Sequence, residues 1–192
     1  MKIFLKLQLA FGDFVLKRKL KHFRRIIKVH NFKTAKRIGI IFNATKQEDY
    51  RQVSGFIKDI LEIGIGMEVK VLGFVNNKDV PNEYLLKKNF SYFLKRSLNW
   101  YRKPVNSEVE RFLTEKFDIL IDFSLNNDYL FNYIMALSPS RFKVGKFREP
   151  NNYYDFMISI NKDKDLKYFI EQVRHYLEMI NRPELSPDFM NI

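Results

Sequence analysis

Strands and helices alternate along residues 37–182. That alternation predicts an α/β fold built on a parallel sheet. Two further observations narrow the class. Several strand segments are continuous apolar runs, the pattern of strands buried on both faces. The segments between them repeat apolar residues with helical spacing. The expected architecture is Rossmann-like: a mostly parallel sheet of about six strands, helices on both faces, and a basic amphipathic helix in front.

Residues 1–36 form a basic arm. From Asp13 to Lys28, Leu16, Leu20, Phe23 and Ile27 fall on one helical stripe. Lys17, Arg18, Lys21, Arg24, Arg25 and Lys28 cover most of the remaining surface. Gly12 is expected to break this helix from a shorter amphipathic piece before it. Val29–Lys36 reads as a polar connector.

The domain, residues 37–182, opens with the apolar strand Arg37–Phe42. Thr45 and Glu48 have the spacing of a capping box, in which each side chain satisfies a free backbone N–H of the other. Tyr50, Val53, Ile57, Ile60 and Leu61 make the following helical stripe. Gly64-Ile65-Gly66 reads as its C-cap. Met67–Val75 is the second strand, and Phe90–Leu98 is expected to be the third. Ser107 and Glu110 form a second capping box, opening a helix to Lys116. Phe117–Ser124 is the clearest central strand. Asn126-Asn127-Asp128 starts a helix through Leu137. Phe142–Phe147 and Tyr153–Ile160 complete the strands. The last helix runs from Asp165 to Ile180, stopped by Asn181 and Pro183, and residues 183–192 form a tail.

Composition limits the function classes. With 192 residues and 46% hydrophobic content, the chain can bury a core. The net charge of +12 is uneven. Residues 1–37 hold twelve Lys/Arg and one acid, Asp13; the remainder holds 22 Lys/Arg and 21 acids. The charge therefore belongs to the arm, which excludes a uniformly basic nucleic-acid coat. The absence of cysteine excludes disulfide scaffolds, thiolate metal sites and cysteine nucleophiles. No apolar run is long enough to span a bilayer. Met1–Phe11 resembles the start of a signal peptide, but Lys6 interrupts it and no small-residue cleavage site follows. The expected location is cytoplasmic, or peripheral to the inner face of a membrane. The sequons at Asn43 and Asn89 then read as chance matches.

Ligands of parallel α/β sheets bind beyond the carboxyl ends of the strands. Those ends carry Asn43, Thr45, Asn76, Asn77, Ser124, Asn126 and Asn127. This neutral polar rim suits hydrogen bonding to a sugar or nucleotide, although the same residue types are ordinary turn and cap formers. The dinucleotide fingerprint and the phosphate-loop motif are both absent. Asp118 and Asp122 share one face of a strand but stand about 13 Å apart at ~3.3 Å per residue. That separation is too long for shared acid/base work, and Asp122, nearer the strand end, is the better site candidate. His22 and His30 belong to the arm, and His175 to the last helix. No nucleophile triad, metal-ligand spacing or cofactor motif is present, so no catalytic residue, metal or cofactor is expected. Lys87, Lys88, Lys95, Arg96, Arg102 and Lys103 alternate with Phe90, Tyr92, Phe93, Trp100 and Tyr101. Arg141, Lys143, Lys146 and Arg148 surround another strand. Cations mixed with aromatics can track nucleic acid. A solvated sheet edge over core aromatics explains them more simply.

The segment FDILIDFSLNNDYLFNYIMALSPSRFKVGKF, Phe117–Phe147, resembles part of the N-terminal half of heptosyltransferase-type glycosyltransferases. There a strand with a central Asp precedes a helix and a short strand ending in Val-Gly. The chain is too short for the second, nucleotide-sugar-binding half. Lys17–Asn43, Asn99–Pro104 and Phe117–Phe147 are similar to a family of uncharacterised α/β proteins from Bacteroidota. That resemblance implies a bacterial cytoplasmic or membrane-peripheral protein, with no activity attached.

Two functions follow as expectations. The first is a non-catalytic binding or adaptor protein with a possible protein partner. Its arm would dock on an anionic surface, either RNA (a ribosome would suit) or the inner face of a membrane. The alternative is an enzyme, or degenerate enzyme, related to a glycosyltransferase half. It would bind a nucleotide or sugar at Asn43, Thr45, Asp122, Ser124, Asn126 and Asn127. A third arrangement packs the arm's apolar stripe on the domain and leaves its cations solvated.

Overall fold

The structure is a computed structural model, and it describes residues 2–63, 66–149 and 153–180. The expected tail and the stop at Asn181 and Pro183 lie outside the described residues, as does most of the Gly64–Gly66 turn. Gly66 itself adopts φ +75°, the left-handed backbone that suits a helix terminator.

Six strands form one sheet: β1 (Arg37–Asn43), β2 (Glu68–Val75), β3 (Phe90–Leu94), β4 (Ile119–Asp122), β5 (Phe142–Lys146) and β6 (Phe156–Ile158). Every neighbouring pair is parallel, in the order β3-β2-β1-β4-β5-β6. This is the Rossmann order, with the direction of winding reversing between β1 and β4. The α/β Rossmann-like architecture expected from the sequence is the one observed.

The helices are α1 (Lys2–Leu20), α2 (Gln47–Ile63), α3 (Ser107–Thr114), α4 (Tyr129–Leu137) and α5 (Leu166–Met179). One face of the sheet packs with α2 and α5 through Val53, Phe56, Ile60, Phe169 and Val173. The other packs with α3 and α4 through Val109, Phe112, Leu130, Phe131 and Ile134. The helix α4 is buried almost all round, because α1 lies on its outer side. Phe90, Tyr92 and Phe93 are core residues of the edge strand β3, as a solvated edge over core aromatics requires.

The N-terminal region differs from the expected Asp13–Lys28 helix. One helix runs through Gly12 and ends at Leu20. Gly12 does not break it, because Gly12 makes room for a ring. A Cβ there would stand 2.8 Å from Tyr129 Cζ, and the Tyr129 hydroxyl donates to the Gly12 carbonyl at 2.8 Å. Leu16 is fully buried against Tyr129, Tyr133 and Ala136, with Leu9 and Leu20 beside it.

After Leu20 the chain becomes a strap. Arg25 donates to both oxygens of Asp155 and to the carbonyls of Ser140 and Arg141. Lys28 N–H donates to the Arg141 carbonyl at 3.1 Å. Asn31 ties the strap to the end of α5 through the Ile180 carbonyl at 2.8 Å. The Asp118 carboxylate accepts from the N–H groups of Lys36 and Arg37 and pairs with Arg141. These anchors hold residues 21–36 along the sheet in place of a helix. Of the expected stripe, Phe23 is half-buried and Ile27 exposed.

Other boundaries move for local reasons. The strand β3 stops at Leu94, where Lys95–Ser97 forms a 3-10 turn. The Thr45 hydroxyl does not cap α2; its oxygen accepts from Asn76 N–H at the end of β2. At α3 the cap is Asn106, whose side chain accepts from Glu108 N–H at 2.8 Å, and Ser107 is the first helical residue. Asp165 caps α5 by accepting from Tyr168 N–H.

Candidate functional sites

Two regions carry unusual chemistry. The first is the outer face of α1. Phe4, Leu7, Phe11 and Phe14 recur at spacings of three, four and three, so they form one narrow stripe. It lies opposite the face that meets α4, because Leu9 and Leu16 stand about half a turn away at 100° per residue. Phe4, Leu7 and Phe14 are 62%, 63% and 63% exposed. Phe11 meets Trp100 at a ring-centroid distance of 4.8 Å, and Gln8 donates to the Trp100 carbonyl. The half-exposed Trp100 widens the stripe. It sits on a tight loop in which Asn99 accepts from Tyr101 and Lys103 N–H, and Arg102 takes φ 65°. Left-handed backbone at a non-glycine residue costs roughly 1–2 kcal/mol, so the turn that presents Trp100 is held in place by its surroundings.

The cations expected to bind an anionic surface do not stay together. Lys17 and Arg18 are exposed near the end of α1, and Lys21 follows just past it. Arg24 donates to the carbonyls of Lys21 and Phe23, Arg25 is clamped by Asp155, and Lys28 lies on the strap. The strap also covers a buried lysine. Lys143 is 2% exposed, donates to the Ala136 carbonyl at 3.3 Å and lies over the Phe23 ring. Burial, with Arg25 nearby, pulls its ammonium down to about 7. Lys143 and Arg148 are thus interior residues, which leaves Arg141 and Lys146 as the surface part of the basic cluster around β5.

The second region is the reversal point between β1 and β4. A cavity of about 440 Å³ opens there beyond the strand ends. Asn43, Thr45, Asn76 and Asn126 line it, as the rim in the sequence suggested, and so do Lys46, Asp49 and Asp165. The last three are missed by reading strand ends, because they stand on helix starts that the topology brings in. The Asn43 side chain accepts from Thr45 N–H at 3.0 Å, fixing the turn. Burial pushes the Asp49 carboxyl up, against the pull of Lys46.

Asp122 and Ser124 stand apart from that lining. The Asp122 carboxylate is fully buried; it accepts from Ser124 N–H at 2.7 Å, the Tyr154 hydroxyl at 2.7 Å and Arg148 at 3.2 Å. Arg148 also donates to the Ser124 hydroxyl and carbonyl and to Tyr154. Burial and the Asp122 charge hold the Tyr154 hydroxyl well above its ordinary range. Among the described residues this buried network braces the ends of β4 and β5. Asn127 accepts from Asn132 and turns toward α4. Among the described residues no group of three or more His, Asp or Glu could hold a metal, and no helix is long and apolar enough to cross a membrane.

Comparison with known proteins adds the fold and the family. Escherichia coli heptosyltransferase WaaC with ADP-2-deoxy-2-fluoro heptose is similar in structure, at 12% identity and a TM-score of 0.50 over 80% of this chain and 52% of that one. The same enzyme with ADP gives 14% identity and a TM-score of 0.46 over 74% and 46%. The chain thus spans about half the length of these structures, and at such identity the likeness concerns the fold alone. No curated protein matches. A family model covers residues 10–180, and the chain belongs to that family, DUF6913, a family of unknown function.

Proposed function

We propose that the protein is a binding protein that docks peripherally on an anionic lipid bilayer through α1. One observation carries this reading: Phe4, Leu7 and Phe14 face solvent on the side of α1 away from α4, with the partly exposed Phe11 beside Trp100 continuing the stripe. An apolar stripe flanked by cations is the pattern of a helix lying in the bilayer interface. Lys6, Lys17, Arg18 and Lys21 supply the cations, and Asp13 is the only acid in residues 1–37. Each cation near an anionic surface contributes about 1 kcal/mol. The aromatic stripe favours lipid over RNA, because phosphate recognition alone calls for cations and not for four exposed apolar side chains.

The test is co-sedimentation of the full chain with phosphatidylglycerol-rich and with pure phosphatidylcholine vesicles. Binding to the anionic vesicles is expected, with a loss of about tenfold or more in Phe4→Ser/Phe14→Ser, as removal of two interfacial aromatics predicts. Binding to structured RNA that the double variant leaves unchanged, with no vesicle binding, overturns the reading.

A further inference from the structure

The reversal-point crevice is chemically divided, and the division specifies a ligand. From β1 the chain turns to α2 and β2 on one side, and from β4 to α4 and β5 on the other. Their loops diverge and leave the crevice open at the strand ends. Leu125 and Leu166 give the cavity an apolar wall above the buried Phe123. Asn43, Asn126 and Thr45 supply both donors and acceptors. The Thr45 hydroxyl oxygen already accepts from Asn76 N–H, which leaves its O–H to donate. Asp49 and Asp165 outnumber Lys46, so the side chains of this part of the crevice offer no excess of cations to a phosphate. Apolar surface beside alternating donors and acceptors suits the ring of a sugar or polyol.

A second cavity, of about 370 Å³, shares Asn76 with the first. It is lined by Asn77, Lys78, Lys95 and Arg96 at the ends of β2 and β3. Asp79 meets Arg96 at 3.6 Å, leaving the shelf with a net positive charge. Lys95 and Arg96 of this edge, with Lys78, therefore stand beside the first cavity.

We infer that the crevice binds a sugar or polyol bearing one anionic group, its ring in the β1/β4 cavity and its anion on the Lys78, Lys95 and Arg96 shelf. The anion is a phosphate or a carboxylate, and both make charge-assisted hydrogen bonds to such a shelf. This site lies on a different part of the molecule from the α1 stripe and stands whether or not α1 binds lipid.

Isothermal titration of the full chain tests it, with a neutral hexose, the hexose phosphate, the hexuronate and inorganic phosphate as probes. At least one anionic sugar is expected to bind about tenfold or more tightly than the neutral hexose and than inorganic phosphate. The tighter of the two names the anion. Lys95→Ala/Arg96→Ala, at exposed positions, removes that advantage and leaves the neutral hexose unaffected. Asn126→Ala weakens the anionic and neutral sugars together. Equal affinity for neutral and anionic sugars, inorganic phosphate binding as tightly as the sugar phosphate, or an inert double variant each overturns the inference. None of these results bears on vesicle binding, so the two readings fail separately.

Discussion

The α/β body and the first helix use the same residue types in opposite ways. In the body, large apolar side chains line the two faces of the sheet, and its deepest acid, Asp122, is met by Arg148 and Tyr154. In α1, one apolar row is buried on α4 and a second row, as apolar as the first, faces solvent beside lysines. A helix that only completed the fold would need the first row alone. The second row is the part that folding leaves unexplained, and it makes α1 the candidate for recognition.

The largest expected effect lies in the body. Arg148→Met strands the buried Asp122 carboxylate, and urea denaturation is expected to show a loss of about 3–5 kcal/mol. A loss below about 1 kcal/mol would mean that water reaches the network and that the body is less closed than its geometry implies.

Next comes the contrast within α1. Leu16→Ala empties a fully buried position and is expected to cost about 2–3 kcal/mol in the same measurement. Phe14→Ser, two residues away, is expected to stay within about 0.5 kcal/mol of the parent. Equal losses would erase the distinction between the two rows.

The strap gives a pH-dependent effect. Lys143 titrates near 7 in the fold, against an ordinary value of 10.5. Between those values the unfolded chain carries the extra proton, so stability rises with pH across this window, by up to about 1.4 kcal/mol per unit. Urea midpoints from pH 7 upward check the slope. Lys143→Met is expected to flatten it and to raise stability at neutral pH. An unchanged slope in the variant would show that the strap leaves Lys143 solvated.

Much of this organisation is legible in the sequence. The apolar runs at Arg37–Phe42 and Phe117–Ser124 announce central parallel strands, because only burial on both faces tolerates them. The end of α1 is not legible. Leu16, Leu20, Phe23 and Ile27 keep helical spacing, yet Arg25 reaches Asp155, 130 residues away, and the strap follows that pairing. Gly12 misleads in the same manner, since its lack of a side chain serves Tyr129 rather than a break. At the crevice, Asn43, Thr45 and Asn126 are visible as strand-end residues. Asp49 and Asp165 are not, because only the strand order brings two distant helix starts to one opening.

The smallest effect separates two neighbouring cap candidates. Asn106→Ala removes the acceptor for Glu108 N–H and is expected to cost about 1 kcal/mol. Ser107→Ala, inside the first turn, is expected to cost a few tenths at most.

The most direct measurement of the central claim uses the single tryptophan of the chain. Trp100 packs on Phe11 at the edge of the exposed stripe. Its emission should shift to the blue when phosphatidylglycerol-rich vesicles are added, and lipids brominated near the headgroup should quench it. Phe4→Ser/Phe14→Ser should abolish both responses. Emission that ignores anionic vesicles in the parent protein would contradict docking through this face of α1.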